Sequence, residues 1–140
     1  MTAVQSELAI RQLNRVDADS KARISHAAVY HLALAGLEGL IVPKWYEGLS
    51  HIYTYYPIQC SRREVFLRHA MERKRDFAPQ YLRNCASIAE FHEFNRDCPN
   101  AEAVARELVL LPTYPRYPAA EIQKNIESIH EFLADAKAQR

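Results

Sequence analysis

The chain has 140 residues, of which 49% are hydrophobic and 25% charged, a length and balance typical of one soluble globular domain spanning residues 1–140. Eighteen Lys and Arg against 17 Asp and Glu give a formal net charge of +1, which excludes a globally basic nucleic-acid binder and an acidic tail protein. No apolar run approaches the roughly 18 residues that a membrane span needs, and residues 1–15 lack the apolar core of a signal peptide.

The first 35 residues contain neither glycine nor proline, and their apolar residues recur at helical spacing. Thr2 and Gln5 form a capping box at the start. The pattern predicts one long helix that ends at Gly36 or Gly39, with a kink left open in residues 17–20. The glycine-containing stretch that follows is expected to be a loop with at most a short edge strand.

Six of the seven prolines lie at or beyond Pro57, so shorter elements are expected in the rest of the chain. The first four in chain order are a strand over 51–60, a helix from a Ser61–Glu64 capping box to about Arg75, a strand over 77–82 and a short helix or irregular stretch over 84–94. The last three are a helix over 99–107 with Pro99 at its first position, a strand over 108–113 and an amphipathic helix over 119–137. The predicted fold class is α+β, an α/β sandwich in which helices cover a small three-stranded sheet.

Neither the histidines nor the cysteines have the spacing of a metal site. His26 and His31 are five residues apart and lie on different faces of a helix. The Glu-Phe-His-Glu sequence at residues 90–93 lacks the second histidine that a zinc-protease helix requires. The three cysteines are too widely and unevenly spaced for a metal knuckle or a disulfide framework, which favours a reducing, cytoplasmic setting without a bound metal.

A basic cluster extends over residues 62–83, where seven basic side chains stand against three acidic ones. A solvated helix face is favoured over nucleic-acid binding, because no nucleic-acid-reading motif accompanies the cluster. The chain also lacks a Gly-x-Ser-x-Gly elbow and a glycine-rich phosphate loop, so no catalytic residue is predicted from motifs.

Tyrosine is unusually abundant, with eight residues in the chain. Core packing is expected for most of them, and the lining of an interface or cleft stays open for the others. Six lie on or beside the predicted strands: Tyr53, Tyr55, Tyr56, Tyr81, Tyr114 and Tyr117.

Three segments match, in order, motifs of one enzyme family. Residues 1–13 resemble its Met-Ser/Thr-x-x-Gln-Ala-Ala-Leu-Gly-x-x-Gln-Leu helix start, and residues 74–81 (Lys-Arg-Asp-Phe-Ala-Pro-Gln-Tyr) its Gly-Ile-x-x-x-x-His-Tyr strand. Residues 99–102 and 110–115 are similar to its Pro-Asn-Ala-Glu…Leu-Pro-Leu-Tyr-Pro ending. Over nearly its whole length the chain thus resembles the C-terminal, small domain of the DegT/DnrJ/StrS-type sugar aminotransferases, pyridoxal-phosphate enzymes of fold type I.

This resemblance implies amino transfer from glutamate to a keto-sugar nucleotide. It also implies that the lysine forming the Schiff base lies in a large domain that precedes the segment resembled here. Pyridoxal phosphate is therefore the cofactor of the parent enzyme, and this chain alone is expected to bind none and to be inactive. The implied partner is the cofactor-binding large domain or a separate chain that carries it, and a homodimer stays open.

The resemblance places Gln80 and Tyr81 at the His-Tyr pair of the strand motif, where they are expected to face the substrate cleft. Glutamine in place of histidine keeps hydrogen bonding but cannot titrate. The alternative is that Gln80 and Tyr81 are ordinary strand residues that only pack or face solvent. A different class of function also stays open, a non-catalytic interaction module that docks on a partner through the first helix and the tyrosine-rich strands.

Overall fold

The computed structural model describes residues 2–47, 50–80 and 83–138, without the side chain of Lys137. Helices and strands alternate along much of these ranges. They are α1 (Ala3–Leu13), α2 (Val16–Leu34), β1 (Tyr55–Gln59), α3 (Arg63–Glu72), β2 (Ala78–Pro79), α4 (Pro99–Glu107), β3 (Leu108–Pro112) and α5 (Ala119–Ala138).

The three strands form one antiparallel sheet in the order β1-β3-β2. Tyr55 pairs with Pro112 at one end of β1, and Ala78 of β2 pairs with Leu110 on the other side of β3. Ile41 adds an isolated bridge to Gln59, which is the short edge strand left open by the sequence. The predicted α+β class with a three-stranded sheet is confirmed.

The core lies between one face of the sheet and the helices α2, α3 and α5. Alternate residues of β1 and β3 point into it, because successive side chains of a strand face opposite ways. The inward set is Tyr56, Ile58, Val109 and Leu111, and it packs in one buried cluster with Leu34, Phe66, Ile129 and Phe132 from the helices. The outward face of the sheet, which carries Tyr55 and Leu110, is left only partly covered by the described residues.

The front of the chain is two helices and not one long helix, and the break comes before residues 17–20, where the sequence left a kink open. The break falls at Asn14 and Arg15, where the Arg15 N–H bonds to the carbonyl of Gln12 at 3.0 Å. Asp17 and Asp19 then occupy the first turn of α2, where negative charge favours a new helix start. The Thr2–Gln5 capping box is confirmed, and α1 buries none of its residues.

The start of α3 also differs from the prediction. The helix begins at Arg63, and Arg62 at its cap makes no side-chain hydrogen bond, so the Ser61–Glu64 capping box does not form. The Cys60 N–H instead bonds to the carbonyl of Glu107 at 3.0 Å and ties the chain to the end of α4. This long-range bond holds the entry to α3 in a turn.

The end of α3 is a Schellman motif with a lysine in the position usually taken by glycine. The Lys74 N–H bonds to the carbonyl of Met71 at 2.9 Å, and the Arg75 N–H to that of Ala70 at 2.8 Å. Lys74 has φ +56, in the left-handed region. This residue stands where the resembled strand motif has its glycine, so the strained lysine occupies a turn that glycine adopts at lower energy.

We expect Lys74→Gly to raise the free energy of unfolding by about 0.5–1 kcal/mol, because relief of the left-handed strain exceeds the extra entropy of glycine in the unfolded chain. Urea denaturation measures the change. Lys21→Gly is the matched control, since Lys21 is exposed inside α2 and should lose about 1 kcal/mol. A loss of stability at both positions would contradict the strain argument.

The two outer strands are shorter than predicted. Of the predicted 51–60 only Tyr55–Gln59 is strand, because Tyr53 with φ +48 interrupts the extended backbone before it, and of the predicted 77–82 the described residues give a strand at Ala78–Pro79.

The remaining elements agree with the sequence prediction. Residues 84–94 form two 3₁₀ turns, Cys85–Ser87 and Ala89–Phe94, and Pro99 opens α4 as predicted. The C-terminal helix α5 is confirmed. Within the described ranges, no helix has the length and apolar character needed to cross a membrane.

Candidate functional site

An open cleft of about 590 Å³ lies on the outward face of the sheet. Its walls come from the segment that leads into β1, from alternate residues of β1 and β3, and from the residue that follows β2. The lining residues are Ser50, His51, Ile52, Tyr53, Thr54, Tyr55, Pro57, Gln80, Leu108 and Leu110.

Gln80 is half-buried in this cleft, directly after the β2 strand. Its amide has both donors and an acceptor to offer a ligand. Tyr81, the second residue expected to face a substrate, lies outside the described residues. The substrate-facing role of both residues therefore stays a prediction.

The chemistry of the described lining is neutral. Its described residues include no Lys, Arg, Asp or Glu, and His51 is the one imidazole among them. Apolar surface from Pro57, Leu108 and Leu110 lies beside the hydroxyl and amide groups of Ser50 and Gln80. Such a surface suits an uncharged polar ring better than a phosphate or carboxylate group.

Tyr53 forms the buried end of the cleft wall in an unusual backbone conformation, with φ +48. Its ring stacks on Trp45 with centroids 5.1 Å apart, and its hydroxyl oxygen accepts the Tyr46 N–H at 3.1 Å. The Tyr53 N–H donates to Nδ1 of His51 at 3.0 Å. Strained backbone of this kind persists only where its surroundings hold it.

Thr113, just beyond β3, helps to keep Tyr53 in this backbone conformation. Its buried hydroxyl donates to the carbonyl of Tyr53 at 2.7 Å and also lies 3.0 Å from the carbonyl of Thr54. Arg23 of α2 donates to the same Thr54 carbonyl at 2.8 Å. The wall is thus fixed by two residues that are distant in sequence, and no motif in the sequence indicated them.

The aromatic contacts continue from Trp45 into the core. The His31 ring lies 5.2 Å from Trp45, and its Nδ1 is 2.9 Å from the Tyr56 hydroxyl. The Tyr56 ring then stacks on Tyr30 at 5.8 Å. Burial raises the pKa of the Tyr30 and Tyr56 hydroxyl groups well above the ordinary value for tyrosine, so both stay neutral hydrogen-bonding groups.

A buried amide anchors the inner end of this series. Nδ2 of Asn125 in α5 donates to the hydroxyl oxygen of Tyr30 at 2.8 Å and to that of Tyr117 at 3.0 Å. Burial also raises the pKa of Tyr117. Asn125 thereby connects α2, α5 and the turn between β3 and α5.

Five of the six tyrosines singled out in the sequence are described, and three of these five lie in the core. Tyr53, Tyr56 and Tyr117 are buried, whereas Tyr55 and Tyr114 are exposed and Tyr55 lines the cleft. Both predicted roles, packing and cleft lining, are therefore present among the described tyrosines.

The described residues do not fit a pyridoxal-phosphate site. A Schiff-base lysine needs a desolvated or specifically positioned amine beside a phosphate cradle. Lys21, Lys44, Lys74 and Lys124 are all exposed, and Lys124 donates to Glu121 at 2.7 Å. That this chain alone binds no cofactor stays a prediction.

The histidines of the sequence analysis lie in separate environments. Nδ1 of His26 is 3.3 Å from the Thr113 carbonyl, whereas His31 contacts Tyr56. Among the described residues no group of three or more His, Cys, Asp or Glu is placed to hold a metal ion.

The fold and sequence resemble one group of proteins. The model of the DegT/DnrJ/EryC1/StrS aminotransferase family matches residues 1–130. A curated relative, dTDP-3-amino-3,4,6-trideoxy-alpha-D-glucose transaminase of Micromonospora megalomicea subsp. nigra, is 28% identical over 137 residues, which cover 93% of this chain and 37% of the relative.

Solved structures agree at the level of the fold. S. venezuelae DesV in complex with a ketimine intermediate has a TM-score of 0.82 at 22% identity, over 90% of this chain and 35% of that one. NtdA of Bacillus subtilis with bound cofactor PMP has a TM-score of 0.68 at 15% identity, over 83% and 28% respectively. The chain spans only 33–37% of the length of the curated relatives that it matches.

Proposed function

Because the chain belongs to the DegT/DnrJ/EryC1/StrS aminotransferase family, we propose that it acts as the C-terminal, small domain of a pyridoxal-phosphate-dependent sugar aminotransferase. The reaction is amino transfer from glutamate to a keto-sugar nucleotide. A lysine-bearing domain, on the same or another chain, supplies the cofactor site. The family match over residues 1–130 and the short span relative to the curated relatives support this assignment.

The neutral cleft on the open sheet face is the observation that carries the proposed role. Gln80 offers donors and an acceptor to sugar hydroxyls, and Pro57 and Leu110 offer apolar surface to the ring. Tyr81, next in the chain, is proposed as a second substrate contact. Since no Asp, Glu, Lys or Arg lines the described cleft, its part in the reaction is to bind and orient the substrate.

A reconstituted enzyme tests this proposal. The chain is combined with the Micromonospora transaminase expressed without the segment that this chain matches, and glutamate-dependent amination of a dTDP-keto-sugar is followed. We expect turnover only when both parts are present. Gln80→Ala should raise KM for the sugar by about tenfold through lost hydrogen bonds. Gln59→Ala, a glutamine of the same sheet outside the cleft lining, should leave KM unchanged.

Borohydride trapping gives a second readout that needs no heterologous pairing. After incubation with pyridoxal phosphate and reduction, the chain alone should carry no stoichiometric label on any one lysine. Specific labelling of a single lysine in this chain would overturn the proposal, as would equal KM effects of the two glutamine variants in an active pair.

A non-catalytic module that docks on a partner is the second candidate function, and α1 favours it. This helix buries none of its residues, yet Val4, Leu8, Ile10 and Leu13 are apolar and more than half exposed. Apolar surface of this kind commonly marks an interface. Light scattering over a range of concentrations tests whether α1 docks a second copy of the chain, because a clean monomer at all concentrations contradicts self-docking.

A further inference from the structure

A second depression, here called the arginine groove, lies between α3 and β2 and has a volume of about 460 Å³. It shares no lining residue with the neutral cleft. Its apolar surface comes from four side chains and its charge from three. The lining residues are Glu64, Leu67, Arg68, Met71, Arg75, Phe77 and Pro79.

The apolar part of the groove is firmly supported. Leu67 and Phe77 are half-buried and pack against the core, where the Phe77 ring lies 5.5 Å from that of Phe66. Met71 stands at the rim with 76% of its surface exposed. A large apolar side chain left this open next to a supported apolar floor provides contact area for a flat hydrocarbon group.

Arg75 is held in place at one side of the groove. Its side chain is only 12% exposed, its Nη1 donates to Glu121 at 2.8 Å and its Nε donates to the carbonyl of Arg73 at 2.8 Å. Guanidinium has five N–H donors in a planar fork, so the Nη2 group keeps donors that no described residue uses. The position of the Arg75 guanidinium is therefore fixed before any ligand arrives.

Of the three charged residues that line the groove, Arg75 and Glu64 each have an ion-pair partner, so the unpaired charge is that of Arg68. Glu64, its acidic lining residue, is 3.1 Å from the guanidinium of Arg63. Arg68 makes no ion pair or hydrogen bond with any described residue. The unpaired guanidinium of Arg68, beside the Arg75 guanidinium that Glu121 holds in place, favours an anion, and arginine recognises oxyanions through paired N–H donors.

We propose that the arginine groove binds a small organic oxyanion, a phosphate or carboxylate attached to a flat apolar group. The oxyanion contacts Arg68 and Arg75, and the apolar group lies against Met71, Phe77 and Pro79. Two other members of the basic cluster are engaged elsewhere, since Arg73 pairs with Glu131 at 2.7 Å and Arg62 lies over the ring of Phe132. This binding site is independent of the aminotransferase role proposed above.

Calorimetric titration of the full chain with phenyl phosphate, benzoate and inorganic phosphate tests the inference. We expect saturable binding of phenyl phosphate or benzoate in the millimolar range or tighter, at least about tenfold tighter than inorganic phosphate because the ring adds apolar contact. The tighter of the two aromatic probes identifies the oxyanion as phosphate or carboxylate.

Substitutions assign the binding to this groove. Arg68→Gln removes an exposed side chain without a described partner and should weaken the preferred aromatic probe about tenfold. Met71→Ser should weaken it about threefold while leaving inorganic phosphate unaffected. Arg116→Gln is the matched control, an exposed arginine outside the groove, and should change affinity less than twofold. Absence of saturable binding by both aromatic probes, or equal losses in Arg68→Gln and Arg116→Gln, would overturn the proposal.

Discussion

Replacement of Asn125 by leucine should lower the free energy of unfolding by about 2–4 kcal/mol, measured by urea denaturation. Asn125 is fully buried, and its amide nitrogen donates to the hydroxyl oxygens of Tyr30 and Tyr117. Leucine keeps the branching at Cγ, with methyl groups that are bulkier than the amide, but supplies no donor. Two hydroxyl groups would then lie in the core without the partner that they have in the native fold.

Removal of both hydroxyl groups in the same background separates hydrogen bonding from packing. Adding Tyr30→Phe and Tyr117→Phe to Asn125→Leu leaves only apolar groups at the three positions, and replacing all partners of a buried network is often nearly neutral. The triple variant should therefore recover most of the lost stability. If it is no more stable than Asn125→Leu alone, altered packing rather than unsatisfied phenols causes the loss.

Thr113→Val should destabilise the protein by about 1–3 kcal/mol and loosen the wall of the neutral cleft. Valine keeps the branched shape but removes the hydroxyl donor to the carbonyl of Tyr53. The Thr54 carbonyl retains Arg23 as a donor, so the main cost is one buried acceptor next to a left-handed residue. Hydrogen exchange at the Tyr53 amide should quicken by at least about tenfold, because the local opening energy falls with the lost bond.

Thr113→Ser is the matched control, since serine keeps the hydroxyl and loses only a methyl group. It should retain slow exchange at the Tyr53 amide even if its overall stability falls slightly. Equal exchange rates in the serine and valine variants would show that the hydroxyl does not hold the strained turn.

The sequence predicts those elements whose causes are local. The stripe of Ile122, Ile126, Ile129 and Leu133 indicates α5 because residues three and four apart share a helix face. Pro99 marks the start of α4 because proline is well suited to a first helical position. The three-stranded sheet follows from runs of strand-forming residues that helices must cover.

Where the sequence-based prediction fails, the cause is a contact between residues that lie far apart in the chain. The Ser61–Glu64 capping box is locally reasonable, but the bond from the Cys60 N–H to Glu107 spans 47 positions and places that segment in a turn. The cleft wall is a similar case. Gln80 could be singled out through a family motif, whereas the strained Tyr53 depends on a hydroxyl 60 positions later. The spacing of apolar residues along the chain indicates neither the Cys60–Glu107 bond nor the Thr113–Tyr53 bond.

The order β1-β3-β2 sets a condition on how this chain acquires its structure during synthesis. The two outer strands pair only with β3, and β3 comes last of the three in the chain. A nascent chain that has not yet exposed residues 108–112 therefore has helices and the single bridge from Ile41 to β1, but no strand that pairs with β1 or β2. Sheet formation must wait until residues 108–112 have been made, and in the meantime Tyr56 and Ile58 lack the strand beside which they are buried in the finished protein.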